Sequence, residues 1–306
     1  MIIAHICHRM DLTLRQKGGI APLNQTLFMI LVISLSCLIA LCIGLLIRAL
    51  IEPHLLDTDF ETLPASGGCA NTGESSALKV CFFSDLHAAL CFIPEDKLID
   101  AIFSSHCDAI LFGGDVCNKG KATEAGLKRL SGIAARAEKL HIPCYAIRGN
   151  HDLRISREQY LASGFTLLEN ESVSLHTPAG REYLLIGLDD SGKKNRVWPE
   201  IRIANPAEHP VERRILLVHN PEYINAVKSR EYRYQLSGHF HGGQIYLPFN
   251  LEYRLLRTES LAREGIRRGV FEKDGISGYI SRGIGCVVFP LRLFSRPQIT
   301  HITFPE

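Results

Sequence analysis

Five apolar runs of strand length in this chain each break off into a short polar cluster, and that pattern restricts the fold more than any other feature. Leu78–Ser84 ends in Asp85-Leu86-His87, Asp108–Phe112 in Gly113-Gly114-Asp115, and Ile142–Ile147 in Gly149-Asn150-His151-Asp152. Arg214–Val218 ends in His219-Asn220-Pro221, and Tyr234–Ser237 leads into Gly238-His239-Phe240-His241-Gly242-Gly243-Gln244. Helical segments are expected between the early runs, over 95–105 and Thr123–Leu140 with Thr123 as N-cap. A further strand is expected at Tyr183–Leu188. Strands alternating with helices imply α/β layering, in which ligands gather beyond the carboxyl ends of the strands. One Asp or Asn after a strand is ordinary turn chemistry. Five such clusters predict a shared site at one sheet edge.

The chemistry follows from the residue types. In extended backbone, residues two apart share a face, so His239 and His241 can converge on one point. With 13 histidines in 306 residues, one such pair proves little alone. Pooled with the other clusters it gives Asp85, His87, Asp115, Asn150, His219, His239 and His241. This is more than one metal ion needs and suits two divalent ions if a carboxylate bridges them. Oxygen and nitrogen donors without sulfur fit Mn²⁺, Fe²⁺ or Zn²⁺. Two such ions can clamp a phosphoryl group, activate water and stabilise the leaving oxygen. His151 directly follows a ligand candidate, so it is the candidate for assisting the leaving group, with Asp152 orienting its ring.

The series D-x-H, G-D, G-N-H-D, a single His after a strand and G-H-x-H, in this order, resembles the calcineurin-like metallophosphoesterase superfamily over roughly residues 78–306. The resemblance implies a four-layer α/β/β/α sandwich. It implies one ion held by Asp85, His87, Asp115 and His241, and a second held by Asp115, Asn150, His219 and His239, with Asp115 bridging. The G-H-x-H-G-G-Q form, the V-H-N-P run and the tail from Gly278 to Thr300 are similar to small membrane-associated phosphoesterases of bacteria. Within that branch the nearest-looking group hydrolyses the pyrophosphate of UDP-2,3-diacylglucosamine in lipid A synthesis, with Mn²⁺ as the expected metal. A phosphodiesterase or phosphatase for another phospholipid or nucleotide is the alternative, and a non-catalytic scaffold of the same fold is a third reading. Phe240 stands where the branch commonly has Thr and is expected to point into the core. Asn118 and Lys119 replace the Asp-Arg of the protein phosphatases. They are candidates for touching the substrate phosphate.

The N-terminal region reads differently. No charged residue occurs from Gly18 through Ile47. The sequence predicts a tail at 1–26, a membrane-spanning or membrane-anchoring helix at 27–51, a linker at 52–77 and the phosphoesterase domain at 78–306. Arg9, Arg15 and Lys17 before the helix, against Glu52, Asp57, Asp59 and Glu61 after it, place the domain outside the cytoplasm. Seven cysteines after residue 60, an odd number with several in apolar runs, suit a reducing compartment instead. A cytosolic nucleotide-sugar substrate likewise requires the cytoplasmic face of the bacterial inner membrane. The bilayer and a lipid-linked or nucleotide-containing phosphate are the expected partners. The net charge of +2 gives no nucleic-acid-binding surface. Basic and apolar residues interleaved over Tyr246–Arg268, and the apolar run Val287–Phe294, are expected to lie on an anionic bilayer.

Overall fold

Alternation along single strands explains how this chain builds two cores at once. The computed structural model describes residues 22–64, 77–189, 201, 203, 207–226, 231–247, 249, 251–255 and 259–305. In strand β2 (Leu78–Phe83; β1 is described below), Leu78, Val80 and Phe82 enter one hydrophobic cluster while Cys81 and Phe83 enter another. Strand β3 (Ala109–Phe112) divides its residues the same way. A strand with no polar face must be covered on both sides, which is why these runs are continuously apolar.

The strands form two six-stranded sheets. The first has β1 (Asp57–Thr62) at one edge, then β12 (Gln298–Phe304), β2, β3, β4 (Cys144–Ala146) and β5 (Thr166–Leu167). Strands β2 to β5 are mutually parallel, β12 runs antiparallel to β2, and β1 pairs parallel to β12. The second sheet has the order β10 (Gly269–Lys273), β11 (Ile276–Ile280), β9 (Tyr234–Ser237), β8 (Arg214–Val218), β7 (Glu182–Leu188) and β6 (Glu171–His176). Its four middle strands are parallel and both outer pairings antiparallel.

The two sheets bury a shared core between them, with Val80, Phe82 and Leu111 from the first and Leu185, Leu217 and Leu236 from the second. The first sheet's other face is covered by α2 (Glu95–Ile102), α3 (Thr123–Lys139) and α4 (Arg157–Ala162), through Leu98, Leu130, Ile133 and Tyr160. The second sheet's other face packs on Tyr223 and Ile224 of a short 3₁₀ turn, Tyr253 of α5 (Leu251–Leu255) and Leu261 of α6 (Ser260–Arg263). The layers are therefore α/β/β/α, as the resemblance implies.

Two expectations change. The stretch 52–77 is not all linker: its residues 57–62 form the edge strand β1, and residues 65–76 fall outside the described set, as do residues 1–21 of the expected tail. Thr123 does not cap α3. Ala122 holds the N-cap position with no side-chain cap bond, and the Thr123 hydroxyl donates to the Gly120 carbonyl.

The chain divides into two compact units, up to Arg48 and from Ala49 onward. The first is the body of α1 (Pro22–Ile51). Its 30 residues span about 45 Å, against roughly 30 Å of bilayer hydrocarbon. Its apolar side chains are exposed along its length, Leu31 and Leu41 each by 59 %. A helix apolar all round and uncovered is long enough and greasy enough to cross a membrane.

Candidate metal centre

The carboxyl ends of β2, β3, β4, β8 and β9 converge as the sequence pattern predicts. Three groups of ligand-bearing side chains each lie with their donor atoms within 4.8 Å: Asp85 with His87 and His241, Asp115 with His219 and His239, and His87 with Asp115 and His151. The Asp115 carboxylate belongs to two of them. Its Oδ2 is 3.2 Å from His219 Nε2 and 3.5 Å from His87 Nε2. Asp85 Oδ1 lies 3.2 Å from His241 Nε2 and 3.9 Å from both His87 and His219. The His87 and His241 rings stack with their Nε2 atoms 3.2 Å apart.

The donor chemistry fits metal ions. His87 Nδ1 contacts the Cys117 carbonyl at 3.1 Å, and His219 Nδ1 the Gly113 carbonyl at 2.7 Å. A carbonyl can only accept, so in both rings Nδ1 carries the proton and Nε2 presents a lone pair inward. A lone pair 3.2 Å from the Asp115 carboxylate is repelled unless a cation lies between them. The buried Asn150 Oδ1, the amide oxygen expected as a ligand, accepts no hydrogen bond. A buried acceptor left this way costs about 1–3 kcal/mol unless something binds it.

The backbone is built around these donors. Asp85, His87, Asp115, His239 and His241, five of the seven candidates, hold positive φ between 38° and 67°. Non-glycine residues seldom adopt this region, and strain of this kind collects at functional sites. Gly149 lets the third loop close on the second. A Cβ there would lie 2.1 Å from Asp115 Oδ1 and 2.7 Å from the Asp115 main-chain nitrogen. The His151 N–H donates to Asp115 Oδ1, and the His239 N–H to the Asp85 carboxylate.

Charge states follow the same geometry. Burial alone would raise the Asp85 carboxyl, but His241, His219 and His87 hold it well below the usual carboxylate range. Asp115 is likewise held low against its burial, by His219 and then His87. Burial, with His241 beside it, pushes His87 down from 6.5 to about 3, although Asp115 and Asp85 oppose this. The sign of the consequence is definite. Between those two values the unfolded chain binds a proton at His87 that the folded chain refuses, so stability falls as pH falls. The metal-free protein is expected to lose up to about 5 kcal/mol from this group between pH 6.5 and 3, and nothing above pH 6.5. Asp152, raised to about 7, acts in the opposite sense over much of that range, so the check is an NMR titration of the His87 imidazole in chelator-treated protein; an imidazole that protonates near 6.5 would refute it.

Asp152 does not orient His151. Its Oδ2 accepts from the main-chain N–H groups of Asp115 (2.6 Å), Val116 (3.1 Å) and Gly149 (3.2 Å), and from the Tyr160 hydroxyl (3.1 Å). Its Oδ1 accepts from the Cys117 N–H. Burial and the nearby Asp115 push Asp152 up to about 7. Its role is to tie the turn after β3 to the turn after β4. The buried His151 Nδ1 has no hydrogen-bond partner. Asp152→Asn is therefore expected to lower stability by about 2–4 kcal/mol, because an amide NH₂ replaces an acceptor among donors. It should leave the pH profile of activity in place. An orienting role would instead reshape that profile at unchanged stability.

Asn118 also moves from substrate to scaffold. Its Oδ1 accepts from the Ala89 N–H and its Nδ2 donates to the Cys286 carbonyl, so both ends of the amide fasten loops. Lys119 is exposed, at positive φ, and its charge bears on His151. Phe240 points into the core against Tyr253, as expected.

Arg292 is a residue the sequence misassigned. Grouped by pattern with a lipid-facing run, it is fully buried. It donates to the carbonyls of Arg282 (2.9 Å), Ser295 (2.8 Å) and Gly285, and its Nη2 lies 3.5 Å from His241 Nδ1. The Ser295 hydroxyl holds the His241 carbonyl from the same side. The only hint in the sequence was an arginine flanked by two leucines. Of the interleaved basic stretch, Tyr253 and Leu261 are core residues, while Pro248, Leu256 and Arg257 lie outside the described set.

Comparison with known proteins agrees with this geometry. The chain is 29 % identical over 233 residues to the metallophosphoesterase YkoQ of Bacillus subtilis (strain 168), covering 73 % of this chain and 82 % of YkoQ. It is 29 % identical over 271 residues to YkuE of the same organism, covering 83 % and 87 %. It is 29 % identical over 241 residues to the phosphodiesterase YaeI of Escherichia coli (strain K12), covering 74 % and 82 %. Residues 78–243, from the start of β2 to just past His241, match the Calcineurin-like phosphoesterase family, and the chain belongs to that family of metal-dependent phosphoesterases.

Proposed function

We propose that the chain hydrolyses the pyrophosphate of a membrane-borne nucleotide-sugar lipid, UDP-2,3-diacylglucosamine, to UMP and the acylated sugar 1-phosphate. The observation that carries the phosphohydrolase reading is the inward-facing Nε2 lone pairs of His87 and His219 about the Asp115 carboxylate. The apolar helix, and the resemblance of Gly238–Gln244 and the tail to the bacterial membrane-associated branch, support the lipid substrate.

Two divalent ions, Mn²⁺ first with Fe²⁺ and Zn²⁺ as alternatives, would supply activated water and neutralise developing charge. Asp85, His87 and His241 would hold one, and Asn150, His219 and His239 the other, with Asp115 shared. His151 is half-buried and fixed through its N–H to Asp115, and its ring lies edge-on to His87 at 4.9 Å. That places it to donate a proton or hydrogen bond to the leaving oxygen. Asp152 keeps the two turns in register so that Asp115 and His151 stay paired.

The catalytic unit would face the cytoplasm of a bacterial inner membrane. The eight described cysteines are free, and Cys81, Cys107, Cys117, Cys144 and Cys286 are buried, which suits a reducing compartment. The second reading, a phosphodiesterase for another phospholipid or nucleotide, is favoured by the name that YaeI carries. The test is incubation with UDP-2,3-diacylglucosamine, Mn²⁺ and detergent, with Asp115→Asn as control. Metal-dependent UMP release that the variant loses supports the first reading. No UMP, with a chromogenic phosphodiester still cleaved, overturns it in favour of the second.

A further inference from the structure

The segment between Cys286 and Ser295 exposes apolar side chains that the rest of the catalytic unit is built to hold outward. Val288 is 75 % exposed, Phe289 61 % and Phe294 41 %, with Pro290 exposed beside them. The loop is pinned from beneath by one side chain. Gln244, three residues after His241, donates from Nε2 to the carbonyls of Val287 (3.1 Å), Phe289 (3.1 Å) and Leu291 (3.0 Å), and its Oε1 accepts from the Val287 N–H (2.7 Å). Val288 and Phe294 hold φ of 65° and 55°. For a β-branched residue this is an outlier that only a firm surround maintains. A soluble surface has no use for successive apolar residues strained and clamped toward water.

The same segment is bonded to the point where the chain enters the unit. The Arg292 N–H donates to the Ala49 carbonyl (3.0 Å), and the Ser295 N–H to Glu52 Oε2 (3.1 Å). Leu50 and Ile51, just after Ala49, are each half-exposed. A bilayer that holds the helix ending here lies within a few residues of Ala49, at most about 3.5 Å of chain per residue. Arg268, whose Nη1 donates to the Phe294 carbonyl, adds positive charge at this border, where lipid phosphates would lie.

We infer that the loop 287–294 is a membrane wedge: Val288, Phe289 and Phe294 dip into the outer acyl region of the bilayer and hold the metal centre at its surface. The centre is one side chain away, because Arg292 spans from the wedge to His241. The inference rests on the reading of α1 as a bilayer anchor, and it explains how a diacylated substrate presents its phosphate without leaving the membrane.

The test uses the full chain in phosphatidylcholine/phosphatidylglycerol vesicles. The single tryptophan, Trp198, is replaced by Phe, and one reporter is introduced at a time: Phe289→Trp, Leu35→Trp in the helix, or Leu161→Trp on α4. Lipids brominated near the glycerol end of their chains report shallow insertion, and lipids brominated near the chain ends report the bilayer middle, where Leu35 of the helix lies. Phe289→Trp is expected to emit at shorter wavelength than Leu161→Trp and to be quenched about twofold by shallow bromines, as for side chains roughly 5–10 Å below the headgroups. Quenching of Leu35→Trp but not of Phe289→Trp overturns the wedge and leaves the anchor standing. Quenching of neither overturns both. A blue-shifted Phe289→Trp that bromine does not quench means that protein, such as a second copy, covers the loop, and it also overturns the wedge. None of these readings depends on activity.

Discussion

Asp115→Asn lowers metal-dependent phosphodiester cleavage roughly 10³-fold or more, equal to about 4 kcal/mol of barrier, while the melting temperature stays within a few degrees. The carboxylate faces His219 and His87 and accepts the His151 N–H. An amide keeps the shape and that accepted bond but removes the charge that both ligand groups share. Metal analysis of the purified variant should show the pair of ions reduced to one or none. A variant that holds two ions and keeps wild-type turnover would remove Asp115 from the reaction altogether.

Arg292→Lys has the second largest expected effect, and it acts on both stability and metal affinity. The guanidinium bonds three main-chain carbonyls in a fully buried setting. An ammonium on a shorter fork cannot reach all three, and each abandoned buried acceptor costs about 1–3 kcal/mol. A melting temperature lower by roughly 6–12 °C corresponds to about 3 kcal/mol in a domain of this size. Affinity for the ion near His241 should fall about 10–100-fold, the usual effect of removing a residue that supports a ligand. Competitive chelator titration separates the two. Loss of stability with unchanged metal affinity would make Arg292 a packing residue alone.

Much of the fold was legible because the central strands are almost entirely apolar, with Lys79 and Arg214 near their starts, and each ends in a chemical cluster. Leu78–Phe83, Ala109–Phe112 and Arg214–Val218 are buried on both faces, so burial and sequence carry the same signal. The seven ligand candidates were readable for the same reason: they stand where apolar runs stop. Strand β1 was not readable. Its sequence, Asp-Thr-Asp-Phe-Glu-Thr, has the composition of a linker. It is held by partners more than 220 positions away, with Arg282 and Arg296 on Asp57, and Arg282 and Gln298 on Asp59. Asp152 was misread because adjacency along the chain suggested contact with His151. The turn sends the carboxylate the other way, to four main-chain N–H groups. The burial of Arg292 was hidden because its compensation comes from carbonyls, which every residue carries.

The place of β12 has a consequence for how the protein is made. Strand β12, Gln298–Phe304, lies between β1 and β2, and among the described strands β1 pairs with no other. Until β12 leaves the ribosome, β2 presents an open edge and β1 has no partner strand. The first sheet therefore closes only once β12 has been made, while the apolar helix has already emerged and can enter lipid. During that interval an apolar strand edge is exposed close to a membrane, where pairing with a neighbouring nascent chain competes with folding. A chain cut before Gln298 would keep every candidate ligand residue and still could not complete the sheet that positions Asp85.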